Sequence, residues 1–283
     1  MSIAPEEFRR QGARCAIWRD APSWTGAKTA AIGRFVADHE EAGAALLDAV
    51  AAKLAGEGFE ALIGPMDGDT WHSYRLIAES DGSPPFLMEP RSGPHDLRAF
   101  TAAGFAPIQR YVSARASVAA VLAAEPPALG EAFVVKPWDG TRAEELVLRL
   151  FDLSKAEFAR AAFFKPITRE AFLDLYRPLM AAVDPRLVLF AFDRRGEIAG
   201  FLFGFPDRLE GANPKTAVLK TYASAAHGAG RALANAFHRA IAELGYTQVI
   251  HALMHERNAS LRRSGQYGAT AFRRYALMGR KLA

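Results

Sequence analysis

The sequence predicts an α/β fold of two tandem lobes, each a mixed, mostly antiparallel twisted sheet flanked by helices, with the N-terminal lobe truncated. Three internal matches, in the same order in both halves, carry this reading. "GEGFEALIGPM" and "ELGYTQVIHALM" each pair a glycine with an aromatic residue ahead of an apolar run, and Gly58 and Gly245 differ by 245 − 58 = 187. The same offset sets Leu46, Val50 and Leu54 against Leu233, Phe237 and Ile241, one apolar helical stripe in each half. Further on, "GFAPIQRYVSAR" and "GATAFRRYALMGR" share an Arg-Tyr pair, Arg110-Tyr111 and Arg274-Tyr275. Their offset is 274 − 110 = 164, so the first half carries an insertion around "AESDGSPPFLMEPRSGPHD", which is rich in turn formers.

In the first half, "RCAIWRD" and "KTAAIGRFVAD" read as strands, followed by the helix through Leu46 and the strand "EALIG". The lobes are expected to divide as 1–125 and 126–283, where Pro126-Pro127 break the local pattern. In the second half "AFVVKPWD" reads as a strand and "TRAEELVLRLFDLSKAEFA" as an amphipathic helix, with Thr141 and Glu144 spaced as a capping box. "ITREAFLDLYRPLMAAV" suits a further helix with Thr168 as N-cap, and "RLVLFAFDRRGEIAGFLFGFPD" a hairpin turning at Arg195-Gly196. The strand "TAVLKTYAS", a helix from the glycines of "AHGAG", the strand "QVIHALM", a short helix from "NASLRR" and the strand "ATAFRRYALMG" complete the chain. The two long helices over residues 141–183 have no first-half counterpart.

Composition narrows the function classes. Half of the 283 residues are apolar, yet no apolar run approaches the roughly 20 residues of a membrane span. "MSIAPEEFRRQGARC" has no apolar h-region, which predicts no secretion signal and a cytoplasmic protein. Cys15 is the sole cysteine, so a disulfide framework is excluded, and its apolar neighbours "RCAIW" make it a core residue. A net charge of +4 suits an anionic small molecule and is too small to argue for nucleic acid. "HALMHE" lacks the helical spacing of a zinc motif, so no metal site is expected.

The chemistry-bearing stretch is "AAHGAGRA". Gly228 and Gly230 stand where a strand gives way to a helix, and His227 is the only large side chain before Arg231. Unpaired amides at a helix start, with the helix dipole behind them, can hold a phosphate when no Cβ blocks its approach. In the first half the offset places Asp38, Glu40 and Glu41 there, which suits a capped helix and repels an anion.

From about residue 131 to 283 this order of elements resembles the GNAT acyltransferase superfamily, with a weaker echo over residues 7–116. The resemblance implies a coenzyme A thioester, first of all acetyl-CoA, whose pyrophosphate rests on the turn Gly228, Ala229, Gly230, Arg231 and Ala232, with His227 beside it. Ala225 stands where the family usually has Gln or Arg. It implies a pantetheine arm along Leu219, Lys220, Thr221 and Tyr222. Asn258 matches the family's Asn-x-x-Ala…Tyr pattern, but Leu261 replaces the alanine and Gly265 the tyrosine, leaving Tyr267 for the general acid. His255 or Glu256 is left for the base, because Lys220 stands where some relatives have a carboxylate. Tyr275, echoed by Tyr111 in the other half, reads as structural.

The cluster "GPMDGDTWHSYR" offers Asp67, Asp69, Trp71, His72 and Tyr74 to a small-molecule or peptide amine acceptor. Alternatively Asp69 and Thr70 cap a short turn on which Trp71 and Tyr74 pack. The predicted activity is therefore acyl transfer from acyl-CoA to an amine. Two further readings stay open: an aminoacyl transferase of the peptidoglycan cross-bridge type, and a non-catalytic acyl-CoA-binding sensor or interaction module. Oligomeric state is not legible in the sequence.

Overall fold

The computed structural model describes residues 4–126, 133–158, 161–180, 183–224 and 226–282. The first half forms β1 (Glu6–Arg10), β2 (Ala13–Trp18), β3 (Thr29–Ala37), α1 (Glu40–Gly56), β4 (Ala61–Gly64), β5 (Leu76–Ser80), α2 (Asp96–Ala102), β6 (Ala106–Ser117) and α3 (Val118–Ala123). The second half forms β7 (Val134–Pro137), α4 (Ala143–Phe158), α5 (Arg169–Met180), β8 (Val188–Phe192), β9 (Ile198–Pro206), β10 (Thr216–Ser224), α6 (Ala229–Glu243), β11 (Gln248–His255), α7 (Ala259–Gln266) and β12 (Thr270–Lys281).

Each half contains one parallel pair in an otherwise antiparallel sheet. Thr29 faces Ala61 in one, and Thr216 faces Gln248 in the other. Both positions are 187 apart in sequence. The stripe residues Leu46, Val50, Leu54, Leu233, Phe237 and Ile241 are all fully buried. The two helices also end alike: Gly58 and Gly245 adopt φ of 76° and 81°, and the next amide returns to Leu54 O or Ile241 O at 3.0 Å. Such a left-handed turn strains any residue with a Cβ, which explains the glycine in both places.

The lobes share one sheet, ordered β1-β2-β3-β4-β12-β6-β11-β10-β9-β8-β7, with β5 also on β12. Their last strands change places. β12 closes the first half against β4 and β5, while β6 joins β11 of the second. β6 and β12 lie side by side with Tyr111 opposite Tyr275. Ala276 and Met278 of β12 therefore belong to the first-half core with Leu46, Leu62 and Phe100. In the second half, alternation along β8 sends Leu187, Leu189 and Ala191 to the core under α6, and Val188 and Phe190 to the core under α4 and α5.

Several local expectations are met and one is not. Thr168 caps α5, accepting from the Ala171 amide at 3.2 Å, and the hairpin turns at Gly196. Cys15 is fully buried, its thiol pushed up to about 12 by burial and then by Glu7 and Glu6. Thr141 forms no capping box. Its amide and hydroxyl donate to Asp139 at 2.8 and 2.7 Å, because the Asp139 carboxylate is the nearer acceptor and closes a turn before the helix begins. Strands β1 and β5 and helices α2 and α3 are short or charged, and their patterns are too brief to read.

The insertion reaches into the core. Glu89 accepts from Arg273 at 2.5 Å and from the Tyr275 hydroxyl, and both side chains of the ion pair are almost fully buried. Removing one partner strands the other charge. Glu89→Ala is expected to lower stability by about 3–5 kcal/mol in urea denaturation. The exposed Arg274–Glu79 pair, cut by Glu79→Ala, is expected to change it by less than about 1 kcal/mol.

Candidate active site

β10 and β11 pair only as far as Leu219 opposite His251. Beyond that point β10 continues along β9 and β11 along β6, so the sheet opens between them. A bulge falls at Lys220, between the Leu219–Gly204 and Thr221–Phe203 pairs. One inserted residue reverses the faces of those that follow: Leu219 and Tyr222 face the core under α6, whereas Val218 and Ala223 face the opposite core. The opening leads into a cleft of about 1210 Å³, walled by β10, β11, α7, α5 and the first-half loop after β4.

At one end lies the start of α6. Gly228 is its N-cap with φ of 94° and no capping side chain. The amides of Arg231 and Ala232 turn back on Gly228 O at 3.0 and 3.1 Å, and that of Ala229 on Ala226 O at 3.3 Å. Among the described residues the Gly230 amide has no acceptor. A Cβ on Gly230 would stand 3.0 Å from Arg263 Nη1, 3.2 Å from Tyr222 Cε2 and 3.3 Å from Ser224 Oγ. Arg263 donates only to the Tyr222 hydroxyl, at 3.4 Å, and no carboxylate pairs with it among the described residues. An unpaired guanidinium at the positive end of a helix attracts an anion. His227 is exposed at the turn, and Ala225 lies outside the described residues.

The first-half helix is built differently. α1 starts at Glu40, two residues before the position that matches Ala229. His39 caps it, accepting from the Ala42 amide at 3.2 Å, and Glu40 and Glu41 fill its first turn. Glu41 is thus helical where its counterpart Gly228 is left-handed.

The sequence-selected acid and base candidates fall around β11 and α7. His255 has both nitrogens engaged: Nδ1 accepts from the Arg257 amide at 3.1 Å, and Nε2 donates to Gln109 Oε1. Burial lowers its pKa. Glu256 is exposed, outside the cleft. Asn258, the N-cap of α7, lines the cleft and makes no side-chain cap. Tyr267 lines it too, but its hydroxyl donates to Asn235 Oδ1, and burial followed by Glu125 pushes its pKa to about 12.

Behind Tyr267 is a buried polar chain missed in the sequence. His238 and His251 meet through their Nε2 atoms at 3.0 Å, and His251 Nδ1 lies 2.7 Å from Ser264 Oγ. Burial pulls their pKa values to about 3 and about 4, so both imidazoles are neutral at physiological pH.

Lys220 contributes a side chain as well as a backbone. Burial, then the nearby Arg75 cation, pull its ammonium down to about 7, with Glu89 opposing. Its Nζ donates to Met88 O at 3.4 Å, so the insertion walls this part of the cleft.

Asp67, Trp71, His72 and Tyr74 line the far end of the same cleft. Asp69 instead organises the loop, accepting from the Trp71 and His72 amides at 2.9 and 3.3 Å and contacting His72 Nδ1 at 2.8 Å. That contact raises the His72 pKa. Asp67 accepts from the Arg34 amide at 2.9 Å. Trp71 donates to Lys165 O at 2.8 Å and packs edge-on against Phe164 and Phe172, holding the loop to the second half.

Solved structures share this architecture. A tandem GNAT protein from the clavulanic acid biosynthesis pathway, solved without AcCoA, superposes with a TM-score of 0.54 at 16% identity, over 96% of this chain and 78% of the other. The chain has the GNAT fold, in tandem. A GCN5-related N-acetyltransferase of Sphaerobacter thermophilus gives 0.55 at 14% identity, covering 96% and 77%. A probable N-acyltransferase of Enterococcus faecalis V583 gives 0.56 at 12%, and there the chain spans 59% of the longer protein. The sequence matches no protein-family model and no curated protein. The splayed β10–β11 pair and the mouth of α6 belong to the second GNAT lobe, and the loop Asp67–Arg75 of the first GNAT lobe forms the opposite wall.

Proposed function

We propose that the second lobe, residues 126–283, binds an acyl-CoA, with acetyl-CoA the first choice, and transfers its acyl group to an amine held against the first lobe, residues 1–125. The carrying observation is Arg263, which among the described residues has no carboxylate partner and stands beside Gly230, whose amide has no acceptor, at the start of α6. A diphosphate would meet there the Gly228 and Gly230 amides, Arg263 and the helix dipole. When bound, the thioester supplies an activated carbonyl for the amine.

The remaining roles belong to this chain's own groups. Lys220, neutral above a pH of about 7, accepts the proton of the incoming ammonium at Nζ. It replaces His255, whose nitrogens are both occupied, and the exposed Glu256. Tyr267 keeps its proton on Asn235, so the Tyr222 hydroxyl, accepting from Arg263, is the better placed donor for a departing thiolate. Asn258, with no cap to make, orients a ligand at the rim. The single buried Cys15 suits a cytoplasmic setting.

Calorimetry with acetyl-CoA, followed by an amine screen read by thiol release, tests the reading. Arg263→Ala is expected to weaken acetyl-CoA about 10–100-fold, the worth of one charge-assisted contact. No binding by the wild-type protein would remove the proposal. Tight binding without turnover on a broad amine panel would favour the sensor.

A further inference from the structure

Among the described residues, Arg75 is a buried cation without a counter-ion. Only 6% of its surface is exposed, and its φ of 74° lies in the left-handed region that costs a non-glycine residue free energy. Its guanidinium carbon stands 3.8 Å from the ring centres of both Tyr74 and Tyr111. Among the described residues its side chain makes one hydrogen bond, from Nη1 to Leu253 O at 3.3 Å. Nε is enclosed without an acceptor, and no carboxylate pairs with the group. Glu89, the buried acid of this region, is already committed to Arg273 and Tyr275. Asp67 lines the same cleft but forms no ion pair with Arg75.

We propose that Arg75 is the anion-binding group of the acceptor pocket, and that the amine acceptor carries a carboxylate. The inference rests on the acyl-transfer reading of the cleft. Burying an unpaired cation costs several kcal/mol, and two aromatic faces return only about 1–4 of them. Here the cost is accepted at a residue that lines the cleft together with Lys220. Tyr74 and Tyr111 meet edge-to-face, with ring centres 5.8 Å apart and planes at 84°, so they flank the guanidinium on two adjacent sides. The N–H groups left without a partner match the two coplanar oxygens of a carboxylate. One uncompensated charge on Arg75 calls for one negative charge. An acceptor held there has its carboxylate toward the first lobe and its amine toward Lys220, whose pKa is lowered by burial first and then by the Arg75 cation.

The test uses matched amines that differ only in the carboxylate: phenylalanine and phenethylamine, lysine and cadaverine, glycylglycine and its amide. O-phosphoethanolamine against ethanolamine serves as the phosphate control. Each is assayed by thiol release from acetyl-CoA and, separately, by calorimetric binding. In at least one carboxylate pair the carboxylated member is expected to have a KM at least 10-fold lower with kcat within about threefold. Arg75→Met should erase that preference through KM while leaving acetyl-CoA affinity unchanged. Arg75→Lys, which keeps the charge and loses the fork, should retain part of it and covers the case in which the methionine variant does not fold. Equal or weaker use of the carboxylated members overturns the inference, as does a larger Arg75-dependent preference for the phosphorylated amine. If acetyl-CoA does not bind, the acyl-transfer reading has failed. If it binds without turnover, or does not bind, calorimetry alone judges the subsite, and absence of carboxylate-dependent binding overturns it.

Discussion

Gly230→Asp is expected to weaken acetyl-CoA binding at least 100-fold in calorimetry, while the melting temperature stays within about 2 °C of wild type or rises. The mutant carboxylate takes the place of the ligand's anion. It sits in the first turn of α6, where a negative charge stabilises by about 0.3–1 kcal/mol, and it gives Arg263 the partner that residue lacks. Replacing glycine by aspartate inside a helix adds roughly only a few tenths of a kcal/mol, because aspartate is itself a poor helix former. Against this, the new Cβ meets Arg263, Tyr222 and Ser224 at 3.0–3.3 Å, so these side chains must give way by a few tenths of an ångström. A diphosphate would then meet a carboxylate in place of an open amide. Gly230→Ala separates crowding from charge and should cost only about 5–10-fold in affinity. Normal affinity in the aspartate variant would remove the α6 mouth from the site.

The neighbouring Gly228→Glu is a poorer test, although the sequence favours it. Offset alone sets Gly228 against Glu41 and suggests that an acidic side chain is tolerated there. The backbones differ: Gly228 holds φ of 94° as an N-cap, whereas Glu41 lies inside a helix that begins earlier. Loss of binding in Gly228→Glu would mix backbone strain with charge.

What could be read in the sequence was whatever repeats at short range. Apolar stripes at helical spacing, the left-handed glycines after Leu54 and Ile241, and the Arg-Tyr strands each need only local geometry, and each is seen. The exchange of β6 and β12 was not legible. Both strands carry the same pattern, and alternation tells which face is buried but not which neighbour supplies the hydrogen bonds. Lone cations were equally silent. Nothing in the sequence singled out the side chains of Arg75, Lys220 and Arg263; their positions in the cleft and, for Arg75 and Arg263, the lack of a carboxylate partner among the described residues set them apart. The His238–His251 contact joins α6 to β11, and no spacing rule links a helix residue to a strand beneath it. The bulge at Lys220 leaves no mark either, since the strand "TAVLKTYAS" has no glycine or proline and its leading run "AVL" reads only as a central strand buried on both faces.

Lys220→Met is expected to lower kcat by about 10²–10⁴-fold and to stabilise the fold at neutral pH, opposite effects from one side chain. The folded ammonium titrates at about 7, against an ordinary value of 10.5. Below pH 7 both folded and unfolded chains are protonated there, and the folded chain bears the whole cost of a charge in a partly desolvated site beside Arg75. Between about 7 and 10.5 the unfolded chain holds a proton that the folded one has released, so wild-type stability from this group rises with pH. Methionine carries no charge to bury. The variant should gain about 1–3 kcal/mol at pH 7, less than full linkage because the cleft is open to water, and this advantage should shrink by pH 10 in urea denaturation. Activity follows the same proton. Neutral Nζ is the base, so wild-type kcat/KM should climb through an inflection near pH 7 that the variant lacks. Neither His238 nor His251 supplies that inflection, with pKa values near 3 and 4. The acceptor's own ammonium titrates in both proteins and marks the part of the profile that Lys220 does not control. A wild-type profile without the inflection, or a methionine variant that keeps it, would return the base to another group.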